Sequence, residues 1–161
     1  EVKGTISTKE EIEKIYSTYG DMIYRICFSY MKNDADTEDI VSETFIQLIH
    51  KSPSFVNDEH EKAWLIRVAT NLCKNSLKHW RRRCIDIDSA NVISDSCNMI
   101  DETMELVLTL SDKYKTVVYL YYYEGYNTEE IARILKKPSS TVRNHLIEAR
   151  QLLKERLGEI G

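Results

Sequence analysis

Residues 127–153 read NTEEIARILKKPSSTVRNHLIEARQLL, and this stretch decides the fold expected for the last third of the chain. Apolar residues recur at three- and four-residue steps in 128–135 and again in 140–153, which predicts two helices. Lys136-Lys137-Pro138 interrupts the pattern, because proline lacks an amide proton and restricts the residue before it. A short helix, a tight turn and a second helix are typical of the helix-turn-helix, which places its second helix in the major groove of DNA.

The exposed side of that second helix carries side chains that suit DNA. Arginine pairs with guanine through two hydrogen bonds, asparagine pairs with adenine, and hydroxyl groups bind phosphates. The residues predicted to contact DNA are Ser139, Ser140, Thr141, Arg143, Asn144, His145 and Arg150. The pattern alone leaves an ordinary helical hairpin open as an alternative.

The rest of the chain also predicts helices. Only 5 Gly and 2 Pro occur among 161 residues, which is too few turn-forming residues for a sheet protein. Apolar periodicity predicts further helices at about 8–32, 36–50, 60–83, 101–110 and 112–123. We therefore expect an all-α protein of two small helical domains, 1–83 and 101–161, joined by an acidic flexible linker at 84–100.

Charge is strongly segregated along the sequence. Residues 59–84 carry seven basic and two acidic side chains, whereas residues 85–112 carry seven acidic side chains and no basic one. Residues 1–58 are net acidic and residues 113–161 are net basic. Two basic blocks separated by an acidic one favour two contacts with one anionic ligand, such as nucleic acid. Solvated helix faces are the alternative that charge alone leaves open.

The sequence gives little support to an enzyme. The four cysteines lie too far apart for a zinc-binding pair, the histidines have no metal-ligand spacing, and there is no phosphate-binding glycine loop. We expect no catalytic residue, metal, cofactor or small-molecule substrate. Cys27 and Cys73 fall on predicted helices and suggest buried free thiols in a reduced, cytoplasmic compartment. Neither a signal peptide nor a membrane-spanning segment is expected.

Three motifs resemble those of bacterial RNA polymerase sigma factors of the sigma-70 family. Residues 124–135 (EGYNTEEIARIL) with 140–153 (STVRNHLIEARQLL) are similar to the domain that binds the promoter −35 element. Residues 38–45 (EDIVSETF) look like the helix that binds core polymerase, and residues 63–72 (AWLIRVATNL) look like the −10 and melting element. The motif order and the short length resemble the extracytoplasmic-function group.

The resemblance implies roles for named side chains. The −10 element would be bound by Arg67, Asn71, Lys74, Lys78, Arg81 and Arg82, and a flipped base by the loop from Ser54 to His60. Core polymerase would be bound by Asp36, Glu38, Asp39, Glu43 and Phe45. The expected partners are core RNA polymerase, promoter DNA and an anti-sigma factor, which in this group is often membrane-anchored.

Some residues depart from the family pattern or keep two interpretations. Ser42 stands where the family often has Gln, and Asn75 stands where Asp is common. Trp64 is expected in the core, while Trp80 is either packed, exposed or stacked on an unpaired base. The alternative function is a stand-alone helix-turn-helix regulator, which would leave the motifs at 36–45 and 63–72 without a role.

Overall fold

The computed structural model describes residues 8–83 and 101–160, and all the regular structure in these two ranges is helical. The chain divides into an N-terminal and a C-terminal unit, which are described separately below. The predicted linker at 84–100 lies outside the described residues. In the described ranges, no helix is long and apolar enough to cross a membrane.

Three long helices form the N-terminal unit: α1 (Lys9–Met31), α2 (Asp34–Lys51) and α3 (Asp58–Arg83). The predicted capping box of α1 is present, with the Thr8 hydroxyl accepting from the Glu11 amide and the Glu11 carboxylate accepting from the Thr8 amide. The Asn33 side chain caps α2. These caps satisfy amides that a helix leaves unpaired at its start, and they agree with the predicted helix boundaries within about two residues.

The core of the N-terminal unit lies where all three helices meet. Its fully buried apolar side chains come from α1, α2, the loop after α2, and α3, and include Ile23, Ile26, Leu48, Phe55, Leu65 and Ile66. Ile49 was predicted to face inward but is 47% exposed. The reason is geometric, because one residue after the buried Leu48 turns the side chain by about 100° around the helix.

Two free cysteines, Cys27 of α1 and Cys73 of α3, are buried in this core, as predicted. A hydrogen bond from the Cys73 thiol and then burial raise the pKa of the Cys27 thiol well above its ordinary value. Both effects favour the neutral thiol over the thiolate, which is the nucleophilic form. The pair therefore acts as apolar packing between α1 and α3.

Shorter elements build the C-terminal unit. They are α4 (Glu102–Thr109), α5 (Asp112–Val118), a π-helical turn (Tyr119–Tyr123), α6 (Thr128–Leu135) and the longer α7 (Ser139–Ile160). The core contains Val107, Val117, Leu120, Ile131, Val142 and Leu146. It also encloses Lys115, which is 1% exposed, with its ammonium 3.5 Å from an oxygen of the Asp112 carboxylate. A buried ammonium requires such a partner because it has lost its hydration.

The π-helical turn was not predicted, since residues 112–123 were expected to form one α-helix. Here the Glu124 amide donates to the Tyr119 carbonyl five residues earlier at 3.3 Å, instead of four residues earlier. The Tyr119 and Tyr123 rings stack with their centroids 4.9 Å apart. Gly125 then takes the predicted positive φ of 79°, which ends the helix and turns the chain toward α6.

Candidate nucleic-acid interface

The helix-turn-helix is built by α6, a short turn and α7. Asn127 and Glu130 form a capping box that starts α6, so the predicted cap is present. Lys136 ends α6 with φ 52°, a conformation that usually favours glycine, and the Lys137 amide donates to the Ala132 carbonyl at 3.0 Å. This turn starts α7 at Ser139, directly after Pro138.

The buried and exposed sides of α7 are clearly divided. Val142, Leu146 and Ala149 are at most 2% exposed and attach the helix to its unit. Ser140, Arg143 and Asn144 are exposed on the other side, and Ser139 and Thr141 are half-buried at the start of the helix. The Arg143 guanidinium donates to the Ser139 hydroxyl at 3.4 Å. Five of the seven predicted residues therefore cluster in the first two turns of α7.

The other two predicted residues are held by side chains from elsewhere in the unit. His145 is half-buried and its ring meets the Tyr114 ring edge-on, with centroids 5.7 Å apart. Arg150 donates from Nε to the Tyr122 hydroxyl at 2.6 Å, and its guanidinium carbon lies 5.2 Å from the Tyr121 ring centroid. The hydrogen bond with Tyr122 raises the pKa of Arg150. Arg150 thus connects α7 to the π-helical turn.

An acidic side chain of α7 is tied to the start of α5. Oε2 of Glu148 accepts from the Tyr114 hydroxyl at 2.7 Å and from the Lys113 ammonium at 3.2 Å. These two hydrogen bonds, the one from Tyr114 being the stronger influence, lower the pKa of the Glu148 carboxyl. The negative charge on the predicted DNA-binding helix is therefore paired with a cation of its own unit.

A groove that sequence reasoning missed lies on the C-terminal unit between α4, α5, the π-helical turn and α7. Its volume is about 740 Å³, and its apolar lining includes Leu106, Val107, Val118, Tyr122 and Leu153. Arg150 and Lys154 add two positive charges to the lining. The sequence signal was Tyr122, a large aromatic residue outside the predicted apolar stripe, which is 49% exposed.

The six residues predicted to contact the −10 element share one face of α3. They follow one another at steps of four, three, four, three and one, so they span only about 100° around the helix axis. Asn71, Lys78, Arg81 and Arg82 are exposed, whereas Arg67 and Lys74 are half-buried. Burial lowers the pKa of the Arg67 guanidinium, but arginine stays charged near neutral pH. This basic face extends over about four turns.

The loop before α3 is anchored by an aromatic side chain. Phe55 is 1% exposed, and its ring centroid lies 5.3 Å from that of His60 and 5.9 Å from that of Trp64. The Val56 amide donates to Nδ1 of His60 at 3.1 Å. Trp64 is half-buried rather than fully in the core, and Trp80 is 46% exposed. The loop therefore has a defined conformation at the start of the basic helix.

The outer face of α2 combines carboxylates with isoleucines. Asp36, Glu38, Asp39 and Glu43 are exposed, as predicted, although Asp36 also accepts from the capping Asn33 side chain at 2.8 Å. Phe45 is different: it is 7% exposed and packs edge-on against the Tyr16 ring. We therefore correct its predicted contact with polymerase to a core role. Ile46 and Ile49, at 44% and 47% exposure, are the apolar residues that this face presents.

Comparisons with known proteins cover both units. The family model for sigma-70 region 2 matches residues 15–83, and the model for sigma-70 region 4 matches residues 100–153. The chain is 27% identical to the ECF RNA polymerase sigma factor SigW of Bacillus subtilis, with 91% of this chain and 88% of that protein covered. It is 26% identical to the ECF RNA polymerase sigma-E factor of Haemophilus influenzae, with 92% and 88% covered.

Solved structures share the fold. The sigma factor RpoE, in complex with the anti-sigma factor NepR from Bartonella quintana, aligns with a TM-score of 0.72 at 20% identity, covering 94% of this chain and 98% of that chain. CnrH, in complex with the cytosolic domain of CnrY, aligns with a TM-score of 0.68 at 18% identity, covering 96% and 92%. With both units matched in the expected order, the chain belongs to the extracytoplasmic-function group of the sigma-70 family.

Proposed function

We propose that this chain is an alternative sigma factor that binds core RNA polymerase, recognises −10 and −35 promoter elements, assists promoter melting and directs transcription initiation. The observation that carries the proposal is the presence of two DNA-compatible faces in one chain, on α3 and on α7, next to an acidic and apolar face on α2. A stand-alone regulator would need only α7. The α2 face and the region 2 match favour the sigma factor over that alternative.

The basic face of α3 is assigned to the −10 element. Its aligned cations would bind phosphates of successive nucleotides, and each phosphate contact releases counterions, which makes binding depend on salt. The loop anchored by Phe55 supports the assignment, because an unpaired base needs a preformed cavity beside the cationic helix. Trp80, exposed between Lys78 and Arg81, is available to stack on a base.

The start of α7 is assigned to the −35 element. Arg143 and Asn144 are exposed on the side opposite the buried Val142 and Leu146, as required of a helix that enters the major groove. His145 is half-buried against Tyr114, and Arg150 is bound to Tyr122. These two residues contribute to −35 binding mainly by holding α7 in position and by adding positive charge near the phosphates.

The outer face of α2 is assigned to core polymerase. Its carboxylates would meet basic side chains of the polymerase, which increases the association rate, while Ile46 and Ile49 supply apolar area to the centre of the interface. The residues proposed for this contact are Asp36, Glu38, Asp39, Glu43, Ile46 and Ile49.

An anti-sigma factor is proposed as the regulator. Two sigma factors of similar fold were solved bound to anti-sigma factors. The apolar groove of the C-terminal unit suits an amphipathic helix, and the positive charges of Arg150 and Lys154 favour one with acidic side chains. We further propose that the protein acts in the cytoplasm as a binding subunit without catalytic activity of its own.

The test is run-off transcription with bacterial core polymerase on a library of random promoters, with and without this protein. We expect transcripts only when it is present, from templates that share two short motifs at a constant separation. The variant Ile46→Glu should fail to bind core polymerase, whereas Tyr16→Glu, on an equally exposed side chain of α1, should bind it. Specific binding to a duplex by the isolated protein, without binding to core polymerase, would support the stand-alone regulator instead.

A further inference from the structure

The most exposed large apolar side chain in the described part of the chain lies on the helix assigned to the −35 element. Ile147 is 60% exposed, whereas Leu146 beside it is 2% exposed. Ile147 follows Arg143 by four residues and precedes Arg150 by three, so it lies on the same side of α7 as both arginines. An isoleucine in this position is therefore surrounded by polar and cationic side chains.

The position of Ile147 along α7 is within reach of base edges. Ile147 lies eight residues after the first residue of the helix, which corresponds to a rise of about 12 Å, similar to the width of the major groove. Ser140, Asn144 and Ile147 follow at steps of four and three, on the side opposite the buried Val142 and Ala149. Ile147 thus extends the proposed base-reading face by one turn.

The two neighbouring arginines point away from Ile147. The Arg143 guanidinium reaches back to the Ser139 hydroxyl at 3.4 Å, toward the start of the helix. The Arg150 guanidinium is held by the Tyr122 hydroxyl at 2.6 Å, over the tyrosines of the π-helical turn. Between these two cations, α7 presents a branched hydrocarbon group to the DNA.

In the major groove, the C5-methyl group of thymine is the apolar feature that distinguishes the bases. We propose that Ile147 determines specificity by packing against the C5-methyl group of a thymine in the −35 element. This inference rests on the proposed function, because it assumes that α7 enters the −35 major groove. It assigns to α7 an apolar contact in addition to the polar contacts of Arg143 and Asn144.

The experiment uses core polymerase with the full chain, on a duplex carrying the −35 element selected from the random library. Each thymine of that element is replaced singly by uracil, which removes only the methyl group. At one position we expect open-complex formation to fall about fourfold, the factor expected for one buried methyl group. In Ile147→Ala the same replacement should have no effect. The control Gln151→Ala, one turn further along α7, should keep the wild-type discrimination.

Three outcomes contradict the proposal, and they are distinguishable. A selected −35 element without thymine, or equal complex formation with thymine and uracil at every position, overturns the role of Ile147 and leaves the sigma factor assignment intact. Uracil discrimination that persists in Ile147→Ala assigns the methyl contact to another side chain. Absence of promoter-specific initiation by the wild-type protein overturns the proposed function itself.

Discussion

The two units arrange their candidate DNA-binding residues in different ways. In the N-terminal unit the six predicted residues follow the periodicity of one 26-residue helix, α3. In the C-terminal unit the side chains of α7 are held by α5 and by the π-helical turn, through Tyr114 and Tyr122. Periodicity along one helix can be read from a sequence, whereas contacts between helices require the fold. The first surface is therefore more predictable than the second.

The first prediction separates the stabilities of the two units. Phe55→Ala should destabilise the N-terminal unit by about 3–5 kcal/mol, because it removes a fully buried aromatic ring. Both tryptophans, Trp64 and Trp80, belong to α3, so tryptophan fluorescence during urea unfolding reports on this unit alone. The adjacent Val56, 59% exposed, supplies the control: Val56→Ala should change stability by less than about 0.5 kcal/mol. Equal effects of the two variants would contradict the assigned core.

The second prediction concerns the basic face of α3. Replacing Lys78 and Arg81 together by Ala should reduce the slope of log affinity against log salt by about two, and promoter affinity about thirtyfold at 0.15 M salt, if each side chain binds one phosphate. The measurement is a salt titration of promoter binding by the polymerase complex. The double variant Lys9→Ala, Lys14→Ala removes two exposed lysines of α1 as a control. An unchanged slope in the α3 variant would remove α3 from the DNA interface.

The third prediction tests whether α7 reads bases rather than phosphates. Arg143→Ala should weaken binding to the selected −35 element about tenfold and should relax the preference for one base pair, because a bidentate contact to guanine is lost. Competition binding with all single substitutions of the −35 element measures this. A uniform loss over all sequences would reassign Arg143 to the phosphate backbone.

The fourth and smallest effect is a dependence of stability on pH in the C-terminal unit. The pKa of Glu148 is lowered in the folded protein, so its contribution is complete above its unfolded value of about 4.3 and is lost as the pH falls through the folded pKa. Compared with Glu148→Gln, the wild-type protein should lose stability more steeply in this acidic range. Glu148 is exposed, so the difference is small.

Thermal unfolding between pH 7 and 3, followed by circular dichroism, measures the effect. Glu155→Gln, on an exposed residue of the same helix, is the control and should follow the wild type. If Glu148→Gln shows the same acid dependence as the wild type, the bonds from Tyr114 and Lys113 do not contribute to stability.

The sequence predicted the helices well because their signals are local. Caps at Thr8 and Asn127, the turn at Gly125 and the apolar periodicity all act within a few residues. The errors have tertiary causes. Phe45 belongs to the core because Tyr16 of α1 covers it, and Ile49 is exposed because no other described helix covers that side of α2.

The candidate site was predicted in the same uneven way. The α3 face and the start of α7 follow from spacing and from the family resemblance. The apolar groove could not be predicted, since it forms only where α4, α5 and α7 come together. The attachment of Arg150 to Tyr122, which are 28 positions apart in sequence, has no local signal either.

The π-helical turn has a consequence for insertions and deletions. Over Tyr119–Tyr123 the backbone uses five residues per hydrogen-bonded step where an α-helix uses four. Deleting one residue there would allow a regular α-helix, which is the better-propagating conformation, but it would rotate everything that follows by about 100° relative to α5. The extra residue therefore acts as a phase setting between α5 and the helix-turn-helix, and chain length in this turn is constrained more tightly than residue identity.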